Sequence, residues 1–172
     1  MEGHHADRPH AHGETATGPH RHARPYAMLA LNLLLSALVM YLAMFAMIDG
    51  WGDFRNNLNT LYMTAIMIGP MGLIMLITMP GMYRDRTRNI VLCIGLAALA
   101  LAGLAATRMQ AGIGDRQFIA SMVPHHSGAI LMCRGADLND AQLRDLCARI
   151  TQGQRAEIDE MNAIAQRLGG GL

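Results

Sequence analysis

The sequence predicts an all-α protein, with three transmembrane helices followed by an extracytoplasmic helical hairpin. Three observations carry this. Hydrophobic residues make up 52% of the chain and charged residues only 16%, where roughly a quarter is usual. Three long apolar stretches fill residues 26–107, each adequate for a bilayer core that takes about 20 helical residues. Residues 108–172 then return to a polar composition with apolar positions at helical spacing.

Residues 1–25 hold six of the eight His (His4, His5, His10, His12, His20, His22) and are broken by Pro9, Pro19 and Pro25. Nothing apolar recurs there, so the segment reads as a disordered His-rich cytoplasmic tail. Its His-x-His spacings at 10/12 and 20/22 suit loose chelation of Cu(II), Ni(II) or Zn(II), although a merely solvated tail is the simpler reading.

The three-span membrane domain covers 26–107. The first stretch, Tyr26 to Ile48, carries no charge and is too long for a cleaved signal peptide, nor has it a small-x-small cleavage site. The second runs from about Leu58 to Met79 and the third from about Ile90 to Thr107. Trp51, Phe54, Tyr62 and Tyr83 fall near their ends, where amphipathic rings prefer to lie. Arg8, Arg21 and Arg24 precede the first span, and Arg84, Arg86 and Arg88 crowd the second loop. In the first loop Arg55 is balanced by Asp49 and Asp53. The positive-inside rule therefore places the N-terminus in the cytoplasm and residues 108–172 in the periplasm, across an inner (plasma) membrane.

Methionine recurs every four residues in the second span (Met63, Met67, Met71, Met75, Met79), and the first adds Met40, Met44 and Met47. Such rows either relay Cu(I) or simply pack helices and lipid, and packing is the favoured reading. No Asp, Glu, His or Lys lies within the spans, so a transporter is disfavoured.

In residues 108–172, Asp115 suits the N-cap of a helix reaching about Ala136, kinked or restarted at Pro124. Asp137–Asp140 reads as a turn, with Asn139 or Asp140 capping a second helix. Leu143, Leu146, Cys147, Ile150, Ile158, Met161, Ile164 and Leu168 make its apolar stripe, and Gly169-Gly170-Gly171 ends it. Two helices of this size bury one stripe each, which predicts a homodimer or larger oligomer.

Candidate chemistry starts at Met122-Val-Pro-His125-His126, followed by Met132. At about 100° per residue, Met122 and His126 lie within about 40° of each other, and His125 and Met132 within about 20°. Thioether and imidazole together suit Cu(I), whereas zinc more usually takes Cys, His and carboxylate. The plainer alternative is a locally hydrogen-bonded His beside Met that fill the core. On the second helix, Gln154 and Glu157 fall within about 40° of Met161, on an otherwise apolar face. They either orient a ligating His, with Met161 as a further ligand, or sit at a solvated rim. Cys133 and Cys147 flank the turn as candidates for a disulfide or for thiolate ligands. Counting around the turn leaves them about one helical turn out of register. Cys93 reads as packing within the third span.

Several classes are disfavoured. A net charge of +1 without a single lysine gives no electrostatic case for nucleic acid. There is no phosphate loop, nucleophile elbow or His-Glu-x-x-His, so no enzyme is expected. Glu157 and Glu160 without a Glu-x-x-His fit di-iron chemistry poorly.

The string Phe118-Ile-Ala-Ser-Met122-Val-Pro-His125-His126-Ser-Gly-Ala-Ile130-Leu-Met132 resembles the family known as domain of unknown function 305. So do Leu146-Cys-Ala-Arg-Ile150 and Gln154-Arg-Ala-Glu157-Ile-Asp-Glu-Met161. The match spans about residues 115–168, and the first two spans look like those of the membrane-anchored members. The resemblance implies a ferritin-like helical fold, here a half-bundle because the chain has one copy of the domain. It also implies extracytoplasmic copper binding linked to copper tolerance, with metal roles for Met122, His125, His126, Met132 and Met161. The expected activity is sequestration or hand-over of copper(I), with silver(I) as the alternative ion. Expected partners are the ion, the lipid bilayer, other copies of the chain, and a copper efflux or chaperone protein. Two rival readings stand beside this: a structural or regulatory subunit that docks a larger complex, and a redox protein using Cys133 and Cys147.

Overall fold

The computed structural model describes residues 20–169, and among these it is all-helical, with no strand. Helix α1 spans His20–Ala43 and passes into 3₁₀ turns at Met44–Met47 and Trp51–Asp53. Then come α2 (Leu58–Thr78), α3 (Arg86–Met109), α4 (Asp115–Gly135) and α5 (Ala141–Arg167). Three segments are long and apolar enough to cross a membrane: Arg24–Met47, Leu58–Thr78 and Arg86–Met109. They carry large apolar side chains such as Leu34, Ile77 and Val91 on open surface, an arrangement suited to lipid as the solvent.

The first helix begins earlier than the composition suggests. Residues 20–25, expected in the tail, belong to α1, with Pro25 inside it. Proline that near a helix start forfeits one backbone bond without ending the helix. The His10/His12 pair lies outside the described residues.

Helices α2 and α3 make the most extensive pairing in the molecule, and glycine permits it. A Cβ on Gly69 would stand 2.6 Å from the Leu96 carbonyl oxygen and 2.7 Å from the Ala100 Cβ. One on Gly103 would stand 2.9 Å from the Tyr62 carbonyl oxygen. Without those side chains the backbones close on each other, the usual basis of helix association in an apolar solvent. α1 joins through a core of Leu29, Leu76, Tyr83 and Leu96. At the same end the Tyr26 hydroxyl donates to Asn89 Oδ1 at 2.8 Å and accepts from the Asp85 N–H at 3.1 Å.

Side-chain caps set the helix starts. Asn57 accepts from the Thr60 N–H, Asp85 from the Arg88 N–H and Asp140 from the Leu143 N–H, each satisfying an amide with no partner in its helix. Asp115 is not the cap of α4. Gly114 holds that position, and Asp115 opens the first turn, where a negative charge favours the helix dipole. α4 also runs through Pro124 without restarting. α4 and α5 pack around Ile119, Val123, Ile130, Ile158 and Met161.

Candidate functional site

Helix α4 rests on the loop between α1 and α2 through a polar joint. Ser127 is fully buried; its hydroxyl donates to Asp53 Oδ2 at 2.6 Å and accepts from the Asp49 N–H at 2.7 Å. The Asp49 carboxylate meets Arg134 of α4 at 2.8 Å and Arg155 of α5 at 3.0 Å. Nearby, Gln117 Oε1 accepts from the Leu58 N–H at 3.0 Å, and Asn59 Nδ2 donates to Ser121 Oγ at 3.3 Å. Gly128 completes the joint, since a Cβ there would lie 3.1 Å from the Met47 carbonyl oxygen. In the sequence Asp49 and Asp53 read only as charge balance for Arg55. Their structural role is to receive α4 and α5, and the small Ser127-Gly128 pair after the two His is the one local signal of it.

Beside this joint lies a cavity of about 460 Å³ between α4 and the facing ends of the first two apolar segments. From α4 it is lined by Met122, His125 and Met132, together with Pro124. From the other side come Met44 and Met47 of the 3₁₀ turn and Met63 of α2, with Phe45 and Asn59 among the rest of the wall. Five thioethers and one imidazole thus share one space. The His125 ring is exposed and meets the His126 ring edge-on, with centroids 6.0 Å apart.

The other two expected ligands lie away from this cavity, His126 on the opposite face of α4 and Met161 on α5. His126 is only 8% exposed. Its Nδ1 lies 2.9 Å from the Met122 carbonyl oxygen, and its Nε2 lies 2.7 Å from Glu157 Oε2 on α5. Each ring nitrogen therefore faces an oxygen of the protein within hydrogen-bond distance, and the ring is turned to α5 rather than into the cavity. Met161, 9% exposed, is part of the α4–α5 core. The two adjacent histidines therefore work on different sides of their helix: His125 joins Met122 and Met132, while His126 ties α4 to α5. Glu157 pairs with His126 across the α4–α5 seam while its side chain stays 56% exposed at the rim.

Cys133 and Cys147 form a disulfide with Cα atoms 5.2 Å apart. The register count is thereby corrected, because residues 136–140 form an extended link that a count of helical turns does not describe. The bond also consumes both thiolates, so neither cysteine offers a metal ligand in this state. Among the described residues no group of three or more His, Cys, Asp or Glu is gathered as for a metal ion. The concentration of donors is of thioethers.

Comparison with known proteins agrees with the motif. Residues 96–165 match the family described as domain of unknown function (DUF305). The "Uncharacterized protein L153" of Acanthamoeba polyphaga mimivirus is 31% identical over 141 residues, covering 80% of this chain and 91% of that protein. The likeness therefore extends beyond the C-terminal segment into the apolar helices. No solved structure matches the chain significantly. From the motif and this relative together, the chain belongs to the family of domain of unknown function 305.

Proposed function

We propose that this is a membrane-anchored protein that binds copper(I) outside the cytoplasm, and by the same chemistry silver(I), for sequestration or hand-over. The observation that carries the reading is the convergence of Met122, Met132 and His125 on one cavity. Thioether sulfur is a soft donor that favours Cu(I), and a single imidazole adds a stronger σ-donor without creating a zinc-like set. The donors fit the ion, and α4 supplies them from a helix seated on the rest of the chain by Ser127 and Gly128. His126 and Glu157 hold the α4–α5 pair together and orient the face that binds, rather than ligating.

Two further features support the extracytoplasmic side. A disulfide persists in an oxidising compartment and is rare in the cytosol. The arginines of the α2–α3 loop, on the opposite side of the spans from α4, follow the positive-inside pattern. In this reading α4 and α5 form a ferritin-like half-bundle that associates with a second copy.

The test is Cu(I) binding to the full chain in detergent, by competition with a chromophoric chelator, beside a Met122→Leu/His125→Ala/Met132→Leu variant and a His126→Gln variant. The expected result is uptake by the parent and by His126→Gln, and its loss in the triple variant. No uptake by the folded, disulfide-bonded parent sinks the copper reading.

A further inference from the structure

The α4 donors make only half of the cavity. We propose that methionines outside α4, drawn from Met44, Met47 and Met63, complete the low-coordinate ligand set of the same ion, so that the binding site is complete only where α4 is docked on the first loop. This rests on the copper(I) reading above and extends it to residues outside the matched motif.

The local geometry favours the role. Met44 and Met47 are three residues apart in a 3₁₀ turn, where side chains at i and i+3 eclipse and so face one way. An α-helical continuation of α1 would spread them by about 60°. Phe45, between them, is buried and stacks on Phe54 at 4.4 Å, which fixes the rotation of the turn. Gly128 lets α4 approach the Met47 carbonyl, and the Ser127–Asp49 bond two residues later holds that approach. Met63 lies one turn beyond Asn59, whose side chain is bonded to Ser121 of α4. All three methionines line the wall that faces Met122, His125 and Met132.

The chemistry agrees. With Cys133 and Cys147 joined and Cys93 not among the cavity's lining residues, thioether is the soft donor available to this cavity. Five thioethers around one exposed imidazole make a soft donor set.

The test uses the full chain in nanodiscs with its disulfide intact, and Cu(I) as the probe. A Met44→Leu/Met47→Leu/Met63→Leu variant is compared with the parent and with Met67→Leu/Met79→Leu, which alters the same residue type outside the cavity. Leu for Met nearly conserves volume, so the fold should hold; if helical circular dichroism is lost, the single Met63→Leu variant serves instead. Residues that merely orient metal ligands cost about 10–100-fold in affinity when removed. The triple variant should therefore weaken Cu(I) at least about tenfold, and X-ray absorption should show fewer sulfur neighbours. The control pair should match the parent. Unchanged affinity and sulfur count in the triple variant, with binding lost in Met122→Leu/His125→Ala, overturns the membrane ligands and leaves the copper function standing. A parent that binds no Cu(I) overturns both.

Discussion

Ser127→Ala is the sharpest probe of how α4 is seated. The substitution removes one oxygen and leaves the backbone alone, yet that oxygen makes two bonds inside the joint, to Asp53 Oδ2 at 2.6 Å and to the Asp49 N–H at 2.7 Å. A hydrogen bond to a charged group contributes about 1.5–3 kcal/mol net, and an amide left without a partner costs about 1–3 kcal/mol. Alanine returns about 0.5 kcal/mol through its higher helix propensity. Asp53 keeps Arg155 at 3.8 Å, and Asp49 keeps both of its arginines, so the joint weakens without vanishing. The expected loss is about 2–5.5 kcal/mol, an increase of about 30- to 10,000-fold in the opening equilibrium of the loop. Amide hydrogen exchange in nanodiscs reads this directly. Peptides covering 44–57 and the middle of α4 should exchange faster by that factor, while α2 and α3 keep their protection. Unchanged exchange in 44–57 refutes the joint as the element that seats α4. Uniform acceleration across all helices refutes its local character.

Three further predictions concern the disulfide and the α2–α3 pair. Under denaturing conditions without reductant, a maleimide should label Cys93 alone, rising to three thiols after reduction. Because the bridge closes a loop of about 15 residues, Cys147→Ser should lower the stability of the α4–α5 pair by about 3 kcal/mol, seen as faster exchange in α5. In the membrane pair, Gly69→Ala forces a Cβ to within 2.6 Å of a carbonyl oxygen and should depress the thermal midpoint in detergent clearly. Gly95→Ala on the open side of α3, where nothing lies within 4 Å, should leave it unchanged or slightly raised.

The helical class and the positions of the apolar helices were legible because length, charge depletion and capping residues are local properties. Asp140 caps α5 as its sequence position suggests, and the apolar stretches agree with α2 and α3 to within a few residues. The faces of α4 were harder. Angular spacing grouped Met122 with His126 and His125 with Met132. Only the second pair shares the cavity wall without division, because Met122 lies at the border between the two faces and His126 follows Glu157. Which face meets what is decided by partners far along the chain. The Cys133–Cys147 register failed for a related reason: five linking residues of irregular backbone decide it. Least legible of all was the other half of the cavity. Met44 and Met47 read as part of a helical row through the first span, and nothing local announces that the helix tightens into a 3₁₀ turn there.

The link between α3 and α4 is short and folded. Gln110 takes a left-handed conformation at φ 49°, Gly112 follows at φ 70°, and the Ala111 carbonyl oxygen accepts from the Tyr62 hydroxyl at 2.6 Å. Even fully extended, residues 110–114 would span only about 17 Å. Helix α4 is therefore no arm on a tether that sweeps a volume of solution. Its cavity is held at one height beside the facing ends of the first two apolar helices. On the proposed copper(I) reading, a carrier that exchanged the ion there would itself have to come down to the bilayer, and lipid charge and surface crowding would then help to set the exchange rate.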